Sequence, residues 1–129
     1  MATILLIDDD EMMRHAITMA LSTRGHVTVV AEDGIAGLDT FANAVFDLVI
    51  TDIVMPWMEG LEIVRSIRER DANIPIIAIS GGGANFGMNY LEHARQFGAQ
   101  ATMKKPLNYL ALLDTVAELL STSAESTPG

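Results

Sequence analysis

Apolar runs of strand length in this chain end on polar residues of distinct type. Asp8, Asp9 and Asp10 follow the first run, Asp52 follows a second, Ser80 a third, and Lys104, Lys105 and Pro106 close a fourth. If these runs are neighbouring strands of one parallel sheet, their carboxyl ends open on a common crevice, where open α/β sheets bind their ligands. Carboxylates gathered there repel one another and raise one another's pKa unless a cation neutralises them. The ligands are all oxygens and the chain has no cysteine, so the fitting cation is hard. Mg²⁺ keeps several waters and takes one or two carboxylates plus a phosphate oxygen, and Asp9 and Asp52 would supply those carboxylates. A carboxylate is also a nucleophile toward a phosphoryl group, and the acyl phosphate it forms needs cations and donors aimed at its oxygens. Lys105 and Ser80 are donors of that kind.

The elements that must position these groups alternate, strand-length apolar runs with helix-period segments, which predicts βα units around a parallel sheet. The first strand is read over Thr3 to Ile7, apolar without alternation because both faces of a central parallel strand are covered. A helix from about Glu11 to Thr23 follows, with Met13, Ile17, Ala20 and Leu21 at helical spacing, Asp10 as its N-cap and Gly25 at its end. Val27 to Ala31 is a second strand. Asp33 caps a second helix with Ile35, Leu38, Phe41 and Ala42 on one face, and Leu48 to Ile50 forms a third strand running into Asp52. Leu61, Val64, Ile67 and Arg68 have the spacing of a third helix, and Ile74 to Ile79 is a β-branched fourth strand. A more weakly patterned helix spans Ala84 to Phe97, with Tyr90, Leu91, Ala94 and Phe97 inward, before a short fifth strand from about Ala99 to Met103. Leu110, Leu113, Val116, Ala117 and Leu120 mark the last helix. The reading gives one domain over residues 1–120 and a frayed polar tail over 121–129.

Composition agrees with a globular chain that folds alone. Of its 129 residues 50% are hydrophobic, 19% charged and only 5% aromatic, and that length buries enough apolar surface to need no disulfide or metal staple. The first apolar run is too short for a signal-peptide core and is stopped by Asp8, so no targeting or membrane-spanning segment is expected. A formal charge of -9 disfavours direct contact with nucleic acid or anionic lipid. Metal cations and other proteins are the expected partners.

Taken singly, most of these residues have ordinary roles. Asp10 is read as a helix cap rather than a ligand, and an isolated Ser80 or Lys105 would be a turn residue and a solvated lysine. Gly81, Gly82 and Gly83 lack the Gly-Lys-Ser/Thr ending of a phosphate loop. His15, His26 and His93 form no metal-ligand pair at helical spacing. The eight methionines and Trp57 could serve an adaptable interface, although methionine more often fills core gaps. Only their common placement at strand ends promotes the acidic residues, Ser80 and Lys105.

Together, Ile7-Asp8-Asp9-Asp10, Thr51-Asp52-Ile53-Val54-Met55-Pro56, Ile79-Ser80-Gly81 and Lys104-Lys105-Pro106 resemble the successive signatures of response regulator receiver domains, over nearly the whole chain. The resemblance implies a flavodoxin-like (βα)5 three-layer sandwich with a five-stranded parallel sheet in the order 2-1-3-4-5. It makes Asp52 the phosphoacceptor. It also implies Mg²⁺ bound directly by Asp9 and Asp52, through water by Asp8, and by the backbone carbonyl of Val54. Ser80 would turn toward the phosphoryl group and Lys105 would pair with it, while Lys104 is a solvated neighbour. Two positions depart from the family pattern. Thr102 stands where an aromatic ring commonly swings inward, and three glycines follow Ser80, giving a loop expected to be unusually mobile.

The implied function is a phosphorylatable switch of a two-component phosphorelay, charged by a sensor histidine kinase or a histidine phosphotransfer protein. It would not be an enzyme beyond its own phosphorylation and dephosphorylation. It is expected to be cytoplasmic, and to signal by binding a downstream protein, because the readable elements end with one domain and a polar tail. Two rivals share part of the pattern. Asp8-Asp9-Asp10 also reads as the Asp-x-Asp of a haloacid-dehalogenase-type phosphatase with Asp8 as nucleophile, though Met12 stands where that pattern wants a small or β-branched residue. The other rival is a receiver-like docking module that is never phosphorylated, against which the complete set of site residues argues.

Overall fold

In the computed structural model, residues 1–53, 60–80 and 94–126 are described. The chain runs β1 (Thr3–Ile7), α1 (Glu11–Ser22), β2 (Val27–Ala31), α2 (Gly34–Asn43), β3 (Leu48–Asp52), α3 (Gly60–Arg70), β4 (Ile76–Ser80), β5 (Ala101–Lys104) and α4 (Tyr109–Ser126), with a helical turn at 94–97 before β5. The strands form one parallel sheet in the order β2-β1-β3-β4-β5. This is the flavodoxin-like winding, and its central strands alternate between two separate cores. Leu5 and Ile7 pack with Ile63, Val64 and Ile67 of α3 and with Leu38 and Phe41 of α2. Ile4 and Leu6 pack on the opposite face with Ile17 and Leu21 of α1 and Leu112 and Val116 of α4. Burial on both faces explains the continuous apolar strands.

Asp10 caps α1 as the sequence suggests, its side chain accepting from the amides of Met12 and Met13. Asp33 caps α2 by accepting from Ala36. Gly25 lies beyond α1 at φ 81°, a left-handed conformation that glycine adopts without a Cβ penalty. Several side chains expected to point inward do not. Ile35 is 64% exposed, Ala42 is exposed, and α2 instead meets the sheet through Gly34, Ala36, Gly37, Leu38 and Phe41. The smallest of these sets the approach: a Cβ at Gly37 would stand 2.5 Å from Cδ1 and 2.8 Å from Cγ1 of Ile7. In α4, Leu110 is 63% exposed and Ala117 is exposed, while Leu112, Leu113, Val116, Leu119 and Leu120 pack. That helix also continues to Ser126, where composition suggested fraying from Ser121, because extending a formed helix gains one hydrogen bond per residue fixed. Arg68 is not core either. It donates to the carbonyls of Gly98 and Asp71 and to Gln100 Oε1.

The packing at Gly37 gives a direct expectation. Alanine there gains up to about 1 kcal/mol of helix propensity, but overpacking against Ile7, fully buried in the strand that carries Asp8, costs about 1–3 kcal/mol. Gly37→Ala should therefore be less stable than the parent in urea denaturation. A stabilised variant would show that α2 does not sit this close.

His26 gives a second expectation. Its Nδ1 accepts from the Ala2 amide at 3.2 Å, and burial, then the N-terminal amine and Arg24, hold its pKa below the usual 6.5. The unfolded chain therefore binds the proton more readily, so stability is present above that value and is lost as the pH falls through it toward the folded pKa. Melting temperature should fall between about pH 7.5 and about pH 5.5 by more in the parent than in His26→Asn, whose amide oxygen can still accept from Ala2. Parallel profiles would contradict this role.

Candidate functional site

β1, β3, β4 and β5 lie side by side, and the expected residues gather where they end. Asp8 directly follows β1, Asp52 is the last residue of β3, Ser80 the last of β4, and Lys105 directly follows β5. The Lys105 amide donates to the Ser80 carbonyl (2.9 Å), and the Ile53 amide to the Ile79 carbonyl (2.9 Å). These ladder bonds fix the ends of β3, β4 and β5 in register, and the pairing of Ile7 with Thr51 aligns β1 with them.

Asp8 is held through every polar group it has. Its amide donates to the Ala31 carbonyl (3.1 Å), and its carbonyl accepts from Arg14 Nη1 (2.8 Å). Its Oδ1 accepts from the Asp10 amide (2.9 Å), and its Oδ2 faces Lys105 Nζ at 3.3 Å. The same ammonium lies 3.1 Å from Asp52 Oδ2. The side chains of Asp8 and Asp52 are almost completely buried, at 1% and 4% exposure, and that of Lys105 is 19% exposed.

The electrostatics follow from burial more than from repulsion. Asp8 is pushed above the usual carboxylate value chiefly by desolvation, against the Asp10 amide and Lys105, and Asp9 adds only the smallest contribution. The sequence suggested mutual repulsion as the cause; the protein's own lysine largely answers it. Burial acts to lower the Lys105 pKa, but Asp52 and Asp8 together outweigh it, so the ammonium is held above its ordinary range. Lys105 therefore carries a full charge between two buried carboxylates.

One carboxylate oxygen from each of Asp8, Asp9 and Asp52 lies within 4.8 Å of the other two, and Asp9 is the exposed member. An all-oxygen set with an open side suits a hard divalent cation that keeps part of its water shell. Among the described residues the buried Ser80 Oγ has no hydrogen-bond partner, so the end of β4 offers a hydroxyl donor at the same sheet edge as Asp52. The residues present fit both the cation and a phosphoryl group.

Other expected residues fall elsewhere. Asp10 is the α1 cap, Lys104 is exposed at the end of β5, and Thr102 is partly buried within β5. Val54, Met55, Pro56, Trp57, Gly81 to Gly83, Tyr90, Leu91 and His93 lie outside the described residues, as does most of the expected helix from Ala84. Sequence reading missed Arg14, whose only visible signal was a lone basic residue one turn into the helix after the acidic cluster. It also missed that the Asp10 amide, not only its side chain, serves the site.

Comparison with known proteins identifies the family. Residues 4–117 match the family model of the response regulator receiver domain. The chain is 34% identical over 116 residues to the response regulator protein FleR of Pseudomonas aeruginosa, covering 90% of this chain and 24% of that protein. It is 32% identical over 117 residues to the response regulator MprA of a Mycobacterium species, covering 91% of this chain and 50% of that one. It thus spans half or less of the length of these relatives. A CheY-like receiver domain protein from Methanospirillum hungatei superposes with a TM-score of 0.90 at 26% identity, covering 97% of this chain and 98% of that one. A receiver domain from Clostridium thermocellum gives 0.91 at 26% identity, covering 98% and 100%. With strand order, strand-end residues and family match in agreement, this chain belongs to the receiver domains of two-component response regulators.

Proposed function

We infer that Asp52 is the phosphoacceptor, charged by phosphohistidine on a sensor kinase or on a phosphotransfer protein in the cytoplasm, and that the charged domain binds a downstream protein. The observation that carries this reading is the convergence on Asp52 of the acidic cluster and Lys105, with the Ser80 hydroxyl, unpartnered among the described residues, at the end of the neighbouring strand. Asp9 and Asp52 would hold Mg²⁺, with Asp8 supporting it through water and the backbone carbonyl of Val54 as a further ligand. When bound, the cation neutralises charge on the transferring phosphoryl oxygens. An Asp52 carboxylate oxygen forms the new bond to phosphorus as the bond to the donor nitrogen breaks, and the histidine leaves with its electron pair. Lys105 then pairs with a phosphoryl oxygen, and Ser80 donates to another. The protein's own chemistry is limited to this transfer and to hydrolysis of the product.

Asp8 suits the phosphatase role poorly. One of its oxygens accepts from the Asp10 amide and the other faces Lys105, and it is the more buried of the two strand-end carboxylates.

Acetyl phosphate tests the reading without a cognate kinase. Labelling is expected only with Mg²⁺, to a single site per chain, in a bond that survives acid and is cleaved by base. Full labelling in chelator, or a base-stable adduct, would overturn it.

A further inference from the structure

The side chain of Arg14 has no part in the reaction outlined above, yet it reaches back from α1 to the acidic turn and donates to the main-chain carbonyl of Asp8 at 2.8 Å. That carbonyl shares one rigid peptide plane with the amide and Cα of Asp9. Orienting the plane therefore sets the direction in which the Asp9 side chain leaves the backbone. Asp9 has most need of such support, because it is the exposed member of the cluster, whereas Asp8 is already fixed through its amide and both carboxylate oxygens. Asp10 anchors the other side of the turn by capping α1, and the Arg14 amide itself closes the first helical hydrogen bond, to the Asp10 carbonyl at 3.0 Å. α1 thus grips the acidic turn at two points, and among the described residues only Arg14 bonds to the Asp8–Asp9 plane.

We propose that Arg14 is a positioning residue that aims the Asp9 carboxylate at the cation shared with Asp52. The inference rests on the metal site proposed above. It has a signature that separates it from simple charge. A cationic guanidinium bonded to the main chain of the acidic turn opposes cation binding through Coulomb repulsion, so if charge were all it contributed, neutralising it would tighten Mg²⁺ binding. If it positions Asp9, neutralising it weakens binding instead.

The test is Mg²⁺ affinity by calorimetry on the full chain, together with melting temperature in chelator, for the parent, Arg14→Met and Arg14→Lys. Loss of one ordering hydrogen bond should weaken Mg²⁺ binding about five- to tenfold in Arg14→Met, with little change in melting temperature without metal. Arg14→Lys keeps the charge but not the planar fork, and should also bind more weakly than the parent; it serves as the deciding variant if Arg14→Met does not fold. Affinity equal to or tighter than the parent's in the folded variants would overturn the positioning role while leaving the metal site intact. Absence of Mg²⁺ binding in the parent would overturn the metal site, and the role of Arg14 with it.

Discussion

Asp52→Ala is expected to reduce labelling by acetyl phosphate to below about 1% of the parent, because no other group at the site can replace a missing nucleophile. The expectation is specific to Asp52. Asp9 is exposed, and Asp8, although buried beside Lys105, has one oxygen held by the Asp10 amide and the other facing the ammonium. The fold should survive, since removing one of two carboxylates that share a single ammonium relieves charge rather than stranding it. A melting temperature close to the parent's would confirm that lost labelling is a loss of chemistry. Persistent labelling of Asp52→Ala, with loss in Asp8→Ala, would instead favour the phosphatase chemistry.

Lys105→Met should give the largest change in stability at the site. It removes the ammonium that lies 3.3 Å from Asp8 Oδ2 and 3.1 Å from Asp52 Oδ2. Stranding a buried charge costs about 3–5 kcal/mol; the partial exposure of Lys105 and the raised pKa of Asp8, which eases protonation, reduce this to about 2–3 kcal/mol near neutral pH. The loss should be greatest in chelator. Bound Mg²⁺ then supplies positive charge that the lysine no longer gives, so it should raise the melting temperature of Lys105→Met by more than it raises the parent's, through ordinary linkage. Adding Asp9→Ala to the variant should remove that extra response. Equal stability of parent and Lys105→Met in chelator would mean that the lysine does not hold these carboxylates.

The parts of this architecture legible in the sequence were those set by chemistry along the chain. A strand covered on both faces must be apolar throughout, so Ile4 to Ile7 and Leu48 to Ile50 announced themselves, and the first polar residue after each marked the crevice. Asp10 and Asp33 were recognisable as caps because a cap is a local device. The phase of the helices was less legible. Tyr109 to Leu113 offers consecutive apolar residues, and only the way α4 crosses the sheet selects Leu112 over Leu110 as the buried one. In α2, the close approach permitted by Gly37 turns Ala36 inward and leaves Ile35 outside, which no hydrophobic period anticipates. Arg14 was illegible for a related reason. Its partner is a backbone carbonyl, and every residue has one, so nothing in the sequence marks that of Asp8 as the acceptor.

The central claim is that phosphorus is transferred to one particular oxygen-bearing side chain. Reductive trapping tests it most directly: label the parent with acetyl phosphate and Mg²⁺, reduce the acyl phosphate with borohydride to the corresponding alcohol, and locate the reduced residue by peptide mass mapping. Reduction at Asp52 alone, dependent on Mg²⁺, is the expected result. Reduction at Asp8, or at neither position in a chain that carries the label, would contradict it.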